Sequence, residues 1–367
     1  MWRRSDRLAL LLCTAAAAAW AQPAPFRAVL PEGGPVELVS ADWGASSATP
    51  RGGALLVDMH ASLTLRNRSP RRIRAVTLQV VAQELAPGGR GAVTRPALDV
   101  APDEEFSVRI DLRLMRPLAP QLAVLAEVAL DGVLFDDLTF FGPNRMNARR
   151  TMLAWEMEAQ RDRRMLARLL DSGGEEALRA RLLETLARSS AGAMMPVQVV
   201  RGAAPATALE PGRAVELAAL RLPEAPVEVL SGAAQVTGAE VRAPRVEIVN
   251  RSRRAVRFVE LGWLAPDGSG RLLSAGTLPS EMHLPPGQRS TVRTETMVRF
   301  ARPVDALQVY PALVEFEDGS VWVPTAAAWA QPGLREALPV SGEMARLAEL
   351  YRKRGLEAVV QQLRAMR

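Results

Sequence analysis

The chain carries little of the equipment that catalysis at neutral pH draws on. Histidine supplies most general bases near pH 7, and only His60 and His283 are present. His60 falls in an alternating, strand-like stretch and His283 lies just before Pro285-Pro286, so both read as structural or exposed. There is no G-x-S-x-G elbow, no H-E-x-x-H helix and no calcium loop of the D-x-D-x-D-G type. Asp103-Glu104-Glu105 and Asp136-Asp137 offer oxygen ligands of the kind Ca²⁺ takes. They read more simply as a solvated turn and a strand end, and Asp136-Asp137 shows no counterpart later in the chain. Cys13 is the only cysteine, inside an N-terminal apolar stretch expected to be removed. No disulfide, thiolate metal site or thiol nucleophile is then expected, and no metal or cofactor.

Arginine is the residue type that clusters. Arg66, Arg68, Arg71, Arg72 and Arg74 crowd one turn, and Arg251, Arg253, Arg254 and Arg257 crowd another. Guanidinium forks match carboxylates and phosphates bidentately. The candidate binding residues are therefore Arg71, Arg72, Arg74, Arg253, Arg254 and Arg257, facing an envelope protein or an anionic envelope polymer. The plainer reading is a soluble hairpin whose edge charges discourage aggregation. Trp43 is a further candidate, either a recognition anchor on a long loop from Asp42 to Gly53 or a lid on the end of a core. Asn67 and Asn250 open N-x-S sequons and read as turn formers.

The elements that hold these residues are written twice. LPEGGPVELVS at 30–40 recurs as LPEAPVEVLS at 222–231. Asn67, Arg68, Ser69, Arg71, Arg74, Val76 and Leu78 match Asn250, Arg251, Ser252, Arg254, Arg257, Val259 and Leu261 at one offset. A third block, Leu166-Ala167 to Leu182, matches Leu347-Ala348 to Leu363, and Asp131-Gly132 falls near Asp318-Gly319. Blocks recurring in one order are the mark of a repeat.

Within each copy the apolar period changes from 2 to helical. Val76, Leu78 and Val80 share one strand face, with Thr77 and Gln79 opposite; Val259, Leu261 and Trp263 take the corresponding face. Turns such as Pro87-Gly88-Gly89 and Pro266-Asp267-Gly268 separate the strands. Short strands with frequent turns and no helix between them indicate an antiparallel sandwich. Helix follows each: Asn147 to Leu170 and Glu175 to Arg188 around Ser172-Gly173-Gly174, then Gly342 to Arg354 and Leu356 to Met366 around Gly355. Met146, Met152, Met157 and Met165 are expected to pack the first helix on its own sandwich.

Asn67-Arg68-Ser69 with Val76-Thr77-Leu78, and Asn250-Arg251-Ser252 with Val259-Glu260-Leu261, resemble the polar turn and following strand of bacterial immunoglobulin-like surface sandwich modules. The resemblance covers some 20 residues per copy and implies a fold, which hosts many functions. The expected class is mainly β with α: two tandem antiparallel Ig-like β-sandwich units, each followed by a C-terminal helical hairpin.

Export is expected from the N-terminus. Arg3, Arg4 and Arg7 precede an apolar run from Leu8 to Trp20, and Ala19-Trp20-Ala21 offers small residues where a signal peptidase reads. The run is short for a membrane span, so membrane attachment is expected only if it stays uncleaved. The expected layout is a signal peptide at 1–21, sandwich 1 at 22–145, hairpin 1 at 146–190, a linker at 191–215 with a short strand at Val197–Val200, sandwich 2 at 216–335 and hairpin 2 at 336–367.

Composition bounds the rest. The 367 residues are 48% hydrophobic and 23% charged, enough apolar surface for cores in two or three domains. The net charge is +6, and Lys353 is the only lysine among 46 basic residues. No basic tail or aromatic-interleaved groove accompanies that charge, so nucleic acid is not an expected partner. The function expected is that of an exported, periplasmic or extracellular bacterial envelope protein, non-catalytic, acting as a structural or protein-interaction module. The alternative is a carbohydrate-active enzyme or a carbohydrate-binding module. Burial of Trp43, Trp263, Trp322, Trp329 and Tyr310 would remove the stacking surface a sugar needs, and a pocket with converging carboxylates would favour an enzyme.

Overall fold

The computed structural model describes residues 25–366, apart from 86, 119–123, 191–194, 196, 201–211, 295–296, 326–327 and 329–336. The expected signal peptide, Cys13 and Trp329 lie outside the described residues. The chain is mainly β, with stacked sheets of β-sandwich type and two long, kinked helices.

Alternation of apolar residues builds the first pair of sheets. Strands β1 (Phe26–Val29), β2 (Val36–Asp42), β3 (Ser47–Arg51) and β4 (Ala54–Asn67) come first. They are followed by β5 (Ile73–Val81), β6 (Arg90–Arg95), β7 (Glu105–Pro117), β8 (Ala126–Phe135) and β9 (Phe140–Phe141). One sheet runs β1-β8-β5-β6 with β9 on β8; the other runs β2-β4-β3 with β7 along the length of β4. On β4 every second residue from Val57 to Asn67 is buried, as a half-covered strand requires. Val57, Met59, Leu63, Leu65, Val76, Leu78, Val108 and Ile110 fill the space between these sheets. The stretch from Asp42 to Gly53 is not one long loop. Ser47–Arg51 continues the ladder on β4 beyond the turn that holds Trp43.

The second set is β10 (Val197–Val200), β11 (Arg213–Ala219), β12 (Val227–Thr237), β13 (Glu240–Asn250) and β14 (Val256–Pro266). After them come β15 (Leu272–Leu284), β16 (Arg289–Arg293), β17 (Met297–Phe300), β18 (Leu307–Phe316) and β19 (Val321–Trp322). They form one continuous array because β11 changes partner midway. Arg213–Glu216 pairs antiparallel with β12, and Leu217–Ala219 pairs parallel with β18. Val229, Val246, Ile248, Val259, Leu261, Trp263, Val309 and Val314 fill its interior. That interior is separate from the first.

Among the described residues two long helices follow the two sets: α1 (Arg149–Ser190) and α2 (Gly342–Ala365). Each is broken by a glycine in a backbone region closed to side chains, Gly174 at φ 68°, ψ −169° and Gly355 at φ 81°, ψ 179°. Ser341 caps α2 by accepting from Met344 N at 3.2 Å. The four arms share a third core, in which Leu166, Leu178 and Leu182 of α1 meet Met344, Leu347, Val359, Val360 and Leu363 of α2.

The start of α1 is a wedge. Met152 and Leu153 pack on Ala75 and Leu134 of the first set of strands, while Ala154 and Met157 pack with Phe258 and Leu313 of the second. The expected docking of the methionines on one sandwich is thus corrected. Met152 faces the first set, Met157 the second, and Met165 the helical core. The same wedge explains why β5 is buried on both faces. Thr77 and Gln79 are covered like Val76 and Leu78, and the Thr77 hydroxyl donates to Met152 Sδ at 3.2 Å.

Candidate functional site

Each arginine-rich turn is organised by a buried asparagine. Asn67 Nδ2 donates to the carbonyls of Arg71, Val100 and Ala101 at 2.8, 3.2 and 3.1 Å. Its Oδ1 accepts from Ser69 N at 3.0 Å and Ser69 Oγ at 2.7 Å. Asn250 repeats the set on Arg254 O, Leu284 O, Ser252 N and Ser252 Oγ. Both amides are fully buried, which fits their reading as turn formers.

The arginines anchored there lie flat over aromatic rings at the surface. Arg71 sits 3.8 Å over the Phe135 ring and binds Asp137 and Thr139. Arg254 sits 3.8 Å over Phe316 and binds Asp318 and Ser320. Asp137 therefore does have a counterpart, Asp318, within Phe-x-Asp-x-Thr/Ser turns. Leu138 and Gly319 in those turns both have positive φ. The sequence match of Asp131 with Asp318 was out of register; Asp131 is buried and accepts from the backbone of Arg145 and Met146.

Arg72 and Arg74 share Asp99, at 2.8 and 2.6 Å. Arg257 binds the buried Glu315, which also faces Arg150 of α1 at 3.4 Å. Arg253 alone of the six candidates is exposed with no hydrogen bond or ion pair among the described residues. Trp43 is partly buried against the first interior, its ring 5.8 Å from that of Phe26. Trp263 and Tyr310 are buried, and Trp322 packs between two apolar clusters. His60 and His283 are exposed beside Asp111 and Glu317. Asp103 and Glu105 pair with Arg68 and Arg66. No group of three or more metal-ligating side chains occurs among the described residues, and no described helix is long and apolar enough to cross a membrane.

The structure adds a site that the repeat pattern did not mark. A cavity of about 90 Å³ opens where the first set of strands, α1 and the start of α2 meet. Arg74, Ala75, Pro96 and Ala97 form one wall; Met152, Trp155, Glu156, Glu158 and Ala159 form the second; Ser341, Gly342 and Glu343 form the third. Trp155 is exposed on one side.

The three glutamates of that lining are in different states. Glu156 is bound by Arg163 and lies 3.7 Å from Arg74. Burial raises its pKa, and those two cations offset only part of the rise. For Glu343, burial is outweighed by Arg346 and Arg163, which hold its carboxyl below the usual range. Glu158 has no hydrogen bond or ion pair among the described residues. Burial pushes it up to about 7, Arg161 opposes, and Asp162 and Glu260 add to the rise. Beside them Asp99 is held low: burial opposes, but Arg74, Gln362 and Arg72 prevail.

Sequence reasoning missed Glu156, Glu158, Asp162 and Arg163, which belong to no motif and do not recur with the repeat. The one sequence signal that this helix is covered on a second side is Ala154 with Met157.

No protein-family model matches the chain, and no curated protein does. Among solved structures, red sea bream transglutaminase is 12% identical with a TM-score of 0.14, covering 77% of this chain and 29% of its own length. A structure titled pT26-6p is 8% identical with a TM-score of 0.16, covering 89% and 72%. A β-glucosidase from Kluyveromyces marxianus is 10% identical with a TM-score of 0.15, covering 73% and 45%. The chain spans less than a third of the transglutaminase, and likenesses this slight carry no argument about activity.

Proposed function

We propose that this is an exported, non-catalytic bacterial envelope protein, a rigid two-part interaction module built from two tandem immunoglobulin-like β-sandwich units with C-terminal helical hairpins. The matching asparagine turns, Arg-over-Phe clamps and glycine kinks support duplication.

One observation carries the functional reading: the helices are spent on locking the two units together. The wedge at the start of α1 packs on both sets of strands. Arg150 reaches Glu281 and Glu315 of the second unit, Gln362 of α2 reaches Asp99 of the first, and the hairpins share a core. Fixed spacing of two copies raises effective concentration for a partner with two sites. Burial of Trp263 and Tyr310 supports this over sugar stacking. A two-carboxylate hydrolase is disfavoured because Glu156 and Glu343 are already bound by arginines. The module would meet an acidic envelope protein or polymer through surface that includes Arg253.

The test is cross-linked recovery of the partner from native envelope by the full chain and by Leu347→Glu, which unlocks the shared helical core. The proposal expects the partner to be recovered by the parent and lost with the variant. Equal recovery by both would overturn it.

A further inference from the structure

The two units end one sheet differently. β4 and β13 are equivalent strands, each finishing on the buried asparagine of its turn. β7 runs along β4 as β16 and β17 run along β13. In the second unit the far side of β17 carries a further strand, Val197–Val200 of β10, paired antiparallel with Met297–Phe300. In the first unit the far side of β7 carries no strand among the described residues. Successive residues of a strand turn their backbone groups to opposite sides. Asn67 N of β4 reaches Glu104 O, and Met115 N of β7 reaches Gly88 O on the other side. The even-numbered residues of β7 therefore bond to β4 and the odd-numbered ones face the open edge. There the N–H groups of Ser107, Arg109, Asp111 and Arg113 make no hydrogen bond among the described residues. Bare edges are templates for another strand unless repelling charges or proline blunt them. Pro117 does so only at the end of β7, and the exposed charges before it, Arg109, Asp111 and Arg113, alternate in sign.

We propose that this edge pairs with the same edge of a second copy, antiparallel about a two-fold axis at Ile110, joining the first-unit sheets of two chains into one. A two-fold contact must be complementary to itself, and charge selects the register. With the axis at Asp111, that residue meets its own copy and Arg109 meets Arg113, so like charges oppose. With the axis at Leu112, Asp111 meets Arg113, but Arg109 falls on Met115, whose N–H is already given to Gly88 O. With the axis at Ile110, Arg109 and Asp111 of each copy face Asp111 and Arg109 of the other, and Ser107 faces Arg113. Every outward N–H from Ser107 to Arg113 then finds a carbonyl, and Met115 stays outside the pairing. Arg109 is the charge left over within one chain. Arg113 is bound by Asp58 and Asp111 stands 3.1 Å from His60, whereas Arg109 has no ion pair among the described residues. On the inner face Leu112, only partly buried against the first interior, comes opposite Val108 of the second copy. The inference goes beyond the interaction-module reading and does not depend on it.

The experiment is sedimentation velocity of the full chain from about 1 to about 200 μM, in which the mass is expected to rise from monomer to dimer. Arg109→Asp and Asp111→Arg are each expected to weaken the dimer about tenfold or more. The double variant Arg109→Asp/Asp111→Arg only inverts the pair and is expected to restore it. That rescue belongs to the axis at Ile110, because with the axis at Leu112 the double variant sets arginine against arginine. Asp111→Pro removes an N–H that points away from β4, so the ladder within the chain is kept, and it is expected to leave a monomer. If Asp111→Pro fails to fold, the charge variants decide alone. A monomer throughout the concentration range, a dimer unchanged in Asp111→Pro, or no recovery in the double variant would each overturn the proposal.

Discussion

Replacing Asn67 by alanine removes five hydrogen bonds from a buried turn, yet the cost is far from five times one bond. The Ser69 hydroxyl, released from Asn67, can give its one proton to the Arg71 carbonyl 2.9 Å away, while the carbonyl of Val100 still accepts from Ile73 N at 3.0 Å and that of Ala101 from Glu104 N at 3.2 Å. The group truly stranded is Ser69 N, whose acceptor disappears. One orphaned buried donor plus three weakened acceptors amounts to about 2–4 kcal/mol. Asn67→Asp sharpens the test. It keeps the acceptor for Ser69 but sets a carboxylate oxygen against three carbonyl oxygens. That variant should lose roughly 2 kcal/mol more than alanine at pH 7. Burial and the carbonyls raise the pKa of the new carboxyl in the fold, so its stability is retained at low pH and lost as pH rises through the folded pKa. Urea unfolding read by hydrogen exchange on β5 isolates the first unit from the second. A cost below about 1 kcal/mol for alanine, or an aspartate variant no worse than alanine at pH 7, would refute the account of the turn.

Other consequences are quicker to test. Glu158 has a folded pKa of about 7, above the ordinary carboxylate value, so stability should fall as pH rises from about 4.5 to 7, by up to about 3 kcal/mol, and then level off. Glu158→Gln should abolish that slope in thermal melts and be the more stable form at pH 8. At Gly174 a Cβ meets nothing within 4 Å, so Gly174→Ala costs only backbone strain, about 1–3 kcal/mol, read as a Tm lower by several degrees. Arg71→Gln loses the Phe135, Asp137 and Thr139 contacts and should cost about 1–2 kcal/mol. Arg253→Gln should stay within about 0.5 kcal/mol while lowering heparin-column retention more than Arg71→Gln does.

Local patterns were legible from sequence because each is decided by neighbours along the chain. The alternation of β4, the N-x-S turns, the glycine kinks at 174 and 355 and the strand at Val197–Val200 follow from period, turn chemistry and the lack of a Cβ. The repeat made the two interiors readable as separate. The partners of the arginines were not legible. Asp99 meets Arg72 and Arg74, and Glu315 meets Arg257, only when distant strands register. A guanidinium that reads as a free surface charge is therefore, in the fold, half of a pair with a carboxylate far along the chain.

The amino-acid sequence on its own determined the local elements and the recurrence of their motifs, because hydrophobic period and turn residues act over a few positions. Tertiary structure alone decided what covers the second face of β5, which arginines stay free, and how Arg74, Glu156, Arg163 and Glu343 come together. Those outcomes depend on α1 being wedged between two sets of strands and on α2 returning to the first. Burial of that kind is set by surfaces meeting across hundreds of residues, and no local period records it.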